Sequence, residues 1–120
     1  MKTHKDLIVW KKSIDLVTLI YKHTLNFPKP EQYGLTNQMR RSAVSIPSNI
    51  AEGAGRVSTK EFLHFLSISV GSSSELETQL IISGNLGFLK TSIVEQLLTE
   101  IEDIRKMTVG LMKSIENNKK

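Results

Sequence analysis

The sequence predicts an all-α protein, a single antiparallel up-down-up-down bundle of four helices over residues 6–26, 31–54, 58–86 and 91–116. Two observations predict it. Apolar residues recur at steps of three and four through nearly the whole chain, and no segment reads as a strand. Three short clusters rich in Pro or Gly then divide that pattern: Pro28-Lys29-Pro30, Gly53-Ala54-Gly55 and Gly84-Asn85-Leu86-Gly87. Connectors this short make successive helices antiparallel neighbours. At 120 residues the chain is one domain, long enough to bury a core without staples.

Met1 to Lys5 are expected to be a frayed leader. The first helix has two apolar sets, Leu7, Trp10, Ile14, Val17, Tyr21 and Leu25 on one stripe and Val9, Leu16, Ile20 and Phe27 on another. A helix apolar on two sides needs two partners, so the first stripe is read as core and the second as facing a neighbour or another subunit. Trp10 and Tyr21 then belong to the core, with base stacking as the alternative. Pro28 and Pro30 end the helix, since neither continues the hydrogen-bond ladder.

In helix two, Leu35, Met39, Ala43, Ile46 and Ile50 form a narrow stripe, and Pro47 is expected to kink the helix rather than break it. The opposite face carries Gln38, Arg41, Ser45, Ser48, Asn49, Glu52 and Arg56 without a long aliphatic residue among them. Solubility alone does not require so many short polar groups, so this strip is a candidate working surface. Gly53 and Gly55 provide permissive backbone at the helix end, and Ser58 with Glu61 reads as a capping box opening helix three. Along helix three, Ser69 and Ser73 stand where bulky residues are expected and would let another backbone approach. Glu77 lies near the apolar stripe and, if buried, needs a partner, for which Arg40 or Arg41 is the candidate. Thr91 or Ser92 with Glu95 opens helix four, whose stripe runs Ile93, Leu97, Ile101, Ile104, Met107, Leu111 and Ile115, and Asn117 to Lys120 form a loose tail.

Charge is unevenly spread. Residues 1–56 hold nine Lys or Arg against four Asp or Glu, and residues 57–120 hold seven against eight. A basic first half suits a polyanionic partner, and a few surplus lysines for solubility remain the plain alternative. With no cysteine, thiolate catalysis and disulfides are excluded, and His4, His23 and His64 do not form a metal set. Serines have no His-based general base beside them, and Glu75 and Glu77 point to different sides of their helix, so an enzyme is the poorest reading. The Gly53–Ser58 turn lacks the strand and lysine of a nucleotide cradle and reads as a capped turn. No cofactor, metal or membrane segment is expected, and the default location is cytoplasmic.

The run Ser45-Ile46-Pro47-Ser48-Asn49-Ile50-Ala51-Glu52-Gly53, preceded by Gln38-Met39-Arg40-Arg41 and followed by Arg56, resembles the signature of four-helix-bundle proteins encoded in intervening sequences of bacterial 23S ribosomal RNA genes, also called S23 ribosomal protein-like. Leu7-Val9-Trp10, Phe27-Pro28, Tyr33-Gly34-Leu35 and Ser72-Ser73-Ser74-Glu75-Leu76-Glu77 extend the likeness over three quarters of the chain. The related accessory protein of diversity-generating retroelements is a pentamer that contacts nucleic acid and a reverse transcriptase. The resemblance therefore implies a homo-oligomer, a pentamer by analogy, with RNA, DNA or an enzyme encoded nearby as partner.

On these grounds the chain is expected to be a non-enzymatic oligomeric bundle that binds structured RNA or other nucleic acid through Arg40, Arg41, Arg56, Lys11, Lys12 and Lys60. The alternative is an assembly module whose strip over residues 38–56 is a subunit or partner interface. Glu52, Asn49 and Arg41 either form a network that orients an arginine, or Glu52 and Arg56 form a plain surface pair.

Overall fold

Four helices carry the fold in the computed structural model, which describes residues 3–118: α1 (Ile8–Thr24), α2 (Leu35–Ala54), α3 (Thr59–Asn85) and α4 (Thr91–Asn117). Helices adjacent in sequence pack on one another and α1 also meets α4, giving a rod 50 × 24 × 20 Å. Among the described residues there is no strand, and no helix is long and apolar enough to cross a membrane. The bundle axis is filled by Leu16, Ile20, Met39, Ala43, Ile46, Ile50, Leu66, Leu76, Leu80, Leu97, Ile101 and Ile104, each at most 1% exposed.

The faces of α1 are shared differently from the sequence expectation: of the first stripe, Leu7, Trp10 and Val17 are half-buried against the core, and the rest of it faces outwards. Val9, Leu16, Ile20 and Phe27 are core, whereas Tyr21 is 42% exposed, Leu25 71% and Ile14 38%. Two hydroxyl residues explain the difference. Ser13 and Thr24 share the buried face with Leu16 and Ile20, and each bonds a carbonyl of its own helix, Ser13 to Trp10 at 2.7 Å and Thr24 to Ile20 at 2.8 Å. Their polar atoms are satisfied locally, so burial carries no unpaired group, and Ile14, Tyr21 and Leu25 of the other stripe are left facing outwards.

The ends also depart from expectation. His4–Asp6 is a 3₁₀ turn capped from both sides, the Thr3 hydroxyl accepting from Lys5 N–H at 3.2 Å and the Asp6 carboxylate accepting from Thr3 N–H at 3.1 Å, so residues 3–5 are not frayed. Met1, Lys2, Lys119 and Lys120 lie outside the described residues, and Asn117 is the last residue of α4 rather than loose tail. Lys29–Glu31 forms a second 3₁₀ turn, after which α2 begins at Leu35, whose N–H donates to Glu31 Oε1 at 3.3 Å. α2 then continues unbroken through Pro47, which is buried.

At the other two connectors the expected punctuation acts through different physics. Gly53 is a packing residue: a Cβ built there would stand 2.8 Å from Phe65 Cβ and 2.9 Å from Phe62 Cδ1. Gly55 keeps a right-handed φ of −83°, so neither glycine supplies left-handed backbone. That role falls to Gly87 at φ 77°, where Gly87 N–H reaches the Gly84 carbonyl at 3.0 Å and Phe88 N–H the Ser83 carbonyl at 2.9 Å, closing α3. Ser58 caps α3 by accepting from Glu61 N–H at 3.1 Å, but the Glu61 carboxylate turns to Arg56 instead of completing a box. α4 starts after Lys90 with no side-chain cap bond, contrary to the expected Thr91 or Ser92 cap.

Candidate functional site

The strip over residues 38–56 divides into two regions. One part is consumed by the contact with α3. Ser45 Oγ lies 2.8 Å from Ser72 Oγ, and Asn49 Nδ2 donates back to the Ser45 carbonyl and hydroxyl at 2.8 and 2.9 Å. Deeper in the same seam, Ser69 Oγ donates to the Ile46 carbonyl at 3.1 Å. Short side chains at all these positions let two backbones approach, as expected for Ser69. Ser73 instead bonds the Val70 carbonyl of its own helix at 2.6 Å.

The expected network of Glu52, Asn49 and Arg41 does not form, because Asn49 is turned to Ser45 and Glu52 pairs with Arg56. Arg56 is held on three sides: by Glu52, by Glu61 at 3.7 Å, and by the Phe65 ring, whose centre is 4.9 Å from its guanidinium carbon. Its charge is compensated on the spot. Glu77 is also partnered elsewhere than expected. Arg105 of α4 reaches it at 3.1 Å and Glu102 at 2.7 Å, since Glu77 lies on the α4 side of α3, away from Arg40 and Arg41.

The other part faces outwards. Arg41 is exposed and has no ion pair or hydrogen bond among the described residues. It stands between two concavities. One, of about 320 Å³, is polar and lined by Asn37, Gln38, Arg41, Ser42, Ser45 and Glu75, while the other, about 460 Å³, adds Tyr21, Arg40 and Val44. Arg40 is fixed across the α1–α2 boundary. Its Nε donates to Thr24 Oγ1 at 3.0 Å, its Nη2 reaches the Tyr21 carbonyl at 3.5 Å, and its guanidinium carbon lies 4.6 Å from the Tyr21 ring centre. Such a cation over an aromatic face is held in orientation without losing its charge.

Ser48 opens onto a groove of about 300 Å³ with Trp10, Ile14, Val17, Val44, Pro47 and Ala51, bordered by His4, which packs edge-on against Trp10 at 5.1 Å. Lys11, Lys12 and Lys60 are exposed and have no acidic partner among the described residues. The structure thus brings Arg40 and Arg41 together with Tyr21, and leaves Arg56 and Lys60 at the far end of α2. Sequence reasoning missed Tyr21 as a surface residue, because its helical spacing matches a core stripe equally well.

A family model for 23S rRNA-intervening sequence proteins matches residues 5–110. Among solved structures, the crystal structure of a protein of unknown function from the S23 ribosomal protein family of Bacteroides thetaiotaomicron has the same fold. The TM-score is 0.80 at 24% identity, over 88% of this chain and 99% of that one. No curated protein matches the chain.

Proposed function

The chain belongs to the 23S rRNA-intervening sequence protein family, and from that premise we propose that it is a non-enzymatic, self-assembling bundle that holds structured RNA on the basic face of α1 and α2. What carries this reading is the division of charge between the two halves of the bundle. Helices α1 and α2 carry five Lys or Arg against two carboxylates, a net +3, while α3 and α4 carry four against eight, a net −4. A polyanion approaching such a molecule is drawn to one side of it. There Arg41, which shares its concavity with Glu75, forms no ion pair among the described residues, and Arg40 is pre-oriented over Tyr21, so the pair meets phosphates without first breaking an ion pair. Lys11 and Lys12 extend the same helices' positive charge.

The test is binding of labelled structured RNA across a salt series, with assembly state measured on the same samples. Affinity that falls steeply with salt supports phosphate neutralisation. No binding at low salt would remove the RNA reading.

A second reading, an assembly interface, is favoured by the partly exposed apolar groove of Trp10, Ile14, Val17, Val44 and Pro47. In that reading α1 carries the contact between copies, in a pentamer by family analogy, and binding responds little to salt.

A further inference from the structure

We propose that the pocket where α1 gives way to α2 is a binding site for a phosphate group. The pocket measures about 240 Å³ and is lined by Thr24, Phe27, Lys29, Gln32, Thr36 and Arg40, together with the neighbouring Leu25 and Pro28. It is a depression open to solvent on one side, wide enough to admit a phosphate with part of what it is attached to outside.

Three features of the lining point to an oxyanion. Arg40 is built in from the backbone outwards: Thr24 donates to the Ile20 carbonyl at 2.8 Å, which leaves its oxygen to accept from Arg40 Nε at 3.0 Å, and the Tyr21 ring and carbonyl hold the rest of the plane. Arg40 Nη1 has no acceptor among the described residues, so this fixed guanidinium keeps N–H groups to offer to a ligand. Thr36 is only 7% exposed, and its buried hydroxyl has no hydrogen-bond partner. A buried hydroxyl left unpaired is unfavourable; its oxygen is closed to solvent, and a turn of the Thr36 side chain on ligand entry would bring it to an acceptor oxygen in the pocket.

The third feature is charge. Lys29 joins Arg40 in the lining, no carboxylate does, and neither cation is in an ion pair. Glu31, the nearest carboxylate in sequence, accepts from Leu35 N–H. Two cations, a hydroxyl and the Gln32 amide suit a group with several acceptor oxygens and close to two negative charges, as a phosphomonoester has near neutral pH. Arg40 is shared with the RNA-binding face, whereas Lys29 and Thr36 belong to this site alone. The site needs only a phosphate, so it stands or falls independently of RNA binding.

The experiment is an amide NMR titration with inorganic phosphate on the full chain and on Thr36→Val, Lys29→Gln and Arg41→Gln, each first checked for wild-type unfolding temperature. The expected result is saturable shifts confined to residues 24–40, a dissociation constant raised about tenfold by Lys29→Gln and several-fold by Thr36→Val, and no change with Arg41→Gln. Absence of saturation, or wild-type phosphate binding in both pocket variants, would overturn the site. The source of the phosphate is then read by competition. Displacement by a 5′-phosphorylated RNA but not by its 5′-hydroxyl form assigns the site to an RNA end, and displacement only by a nucleoside monophosphate assigns it to a free phosphomonoester. RNA binding without phosphate saturation sinks the pocket alone, and phosphate saturation without RNA binding sinks the RNA reading alone.

Discussion

Helix α2 meets its two neighbours through unlike seams. Towards α3 it is closed by small groups: Gly53 beneath Phe62 and Phe65, Ser69 on the Ile46 carbonyl, and Ser45 on Ser72. Towards α1 it is open, with Tyr21, Ile14 and Val44 each about two-fifths exposed and Arg40 bridging the gap to Thr24. The stretch that most marks this sequence, residues 45–53, spends Ser45 and Gly53 on the closed seam and Asn49 on holding Ser45. Residues available to a partner lie mainly on the open side, where a stripe of core-like spacing comes to the surface. A distinctive motif can therefore be a packing device that lies beside a working surface.

The largest effect expected from disturbing this contrast is at Gly53. Gly53→Ala places a methyl against Phe65 Cβ and should destabilise the fold by about 2 kcal/mol despite the roughly 1 kcal/mol by which Ala is the better helix former. Gly71→Ala, where an added Cβ meets nothing within 4 Å, should instead stabilise by about 0.5–1 kcal/mol. Urea unfolding of the two variants measures both, and equal behaviour would mean that α2 and α3 are not held in close contact. Next comes Ser69→Ala, which removes the buried bond to the Ile46 carbonyl and should lower stability by about 1 kcal/mol in the same assay.

On the open side, Tyr21→Ser should lower stability by about 1 kcal/mol, because the ring is only two-fifths exposed and lies under the Arg40 guanidinium. If α1 joins copies of the chain, sedimentation velocity will also show smaller particles. An unchanged particle size would place the subunit contact elsewhere. A smaller effect separates the true partner of Glu77 from the expected ones. A double-mutant cycle between Glu77 and Arg105 should give a coupling of roughly 0.5 kcal/mol, limited because both groups are partly solvated, and the cycle with Arg40 should give none.

The helices and their breaks were legible because Pro28, Pro30 and Gly87 act through the local backbone, and the single apolar stripe of α2 has one buried solution. The buried face of α1 was not legible. Two apolar stripes compete there, and the deciding residues, Ser13 and Thr24, look polar until their hydroxyls are seen to bond carbonyls of their own helix. Arg40 and Arg41 could be named from their position in the strip, but not told apart from Arg56. The spacing of four already offered Glu52 as a partner for Arg56, and that pair forms, but only three-dimensional neighbours add Glu61 to it and show that Arg40 leans on an aromatic ring while Arg41 has no partner among the described residues. For the same reason Arg105 was invisible as the partner of Glu77, since the two are 28 residues apart on different helices.

The most direct test sets Arg41→Gln beside Arg56→Gln in the RNA salt series, with both variants confirmed to assemble as the wild type does. If the open side of α2 neutralises phosphates, Arg41→Gln should weaken binding and reduce the slope of log affinity against log salt by about one, while Arg56→Gln, already compensated by Glu52 and Glu61, should leave the slope nearly unchanged. The reverse order, or equal effects from the two variants, would contradict the account.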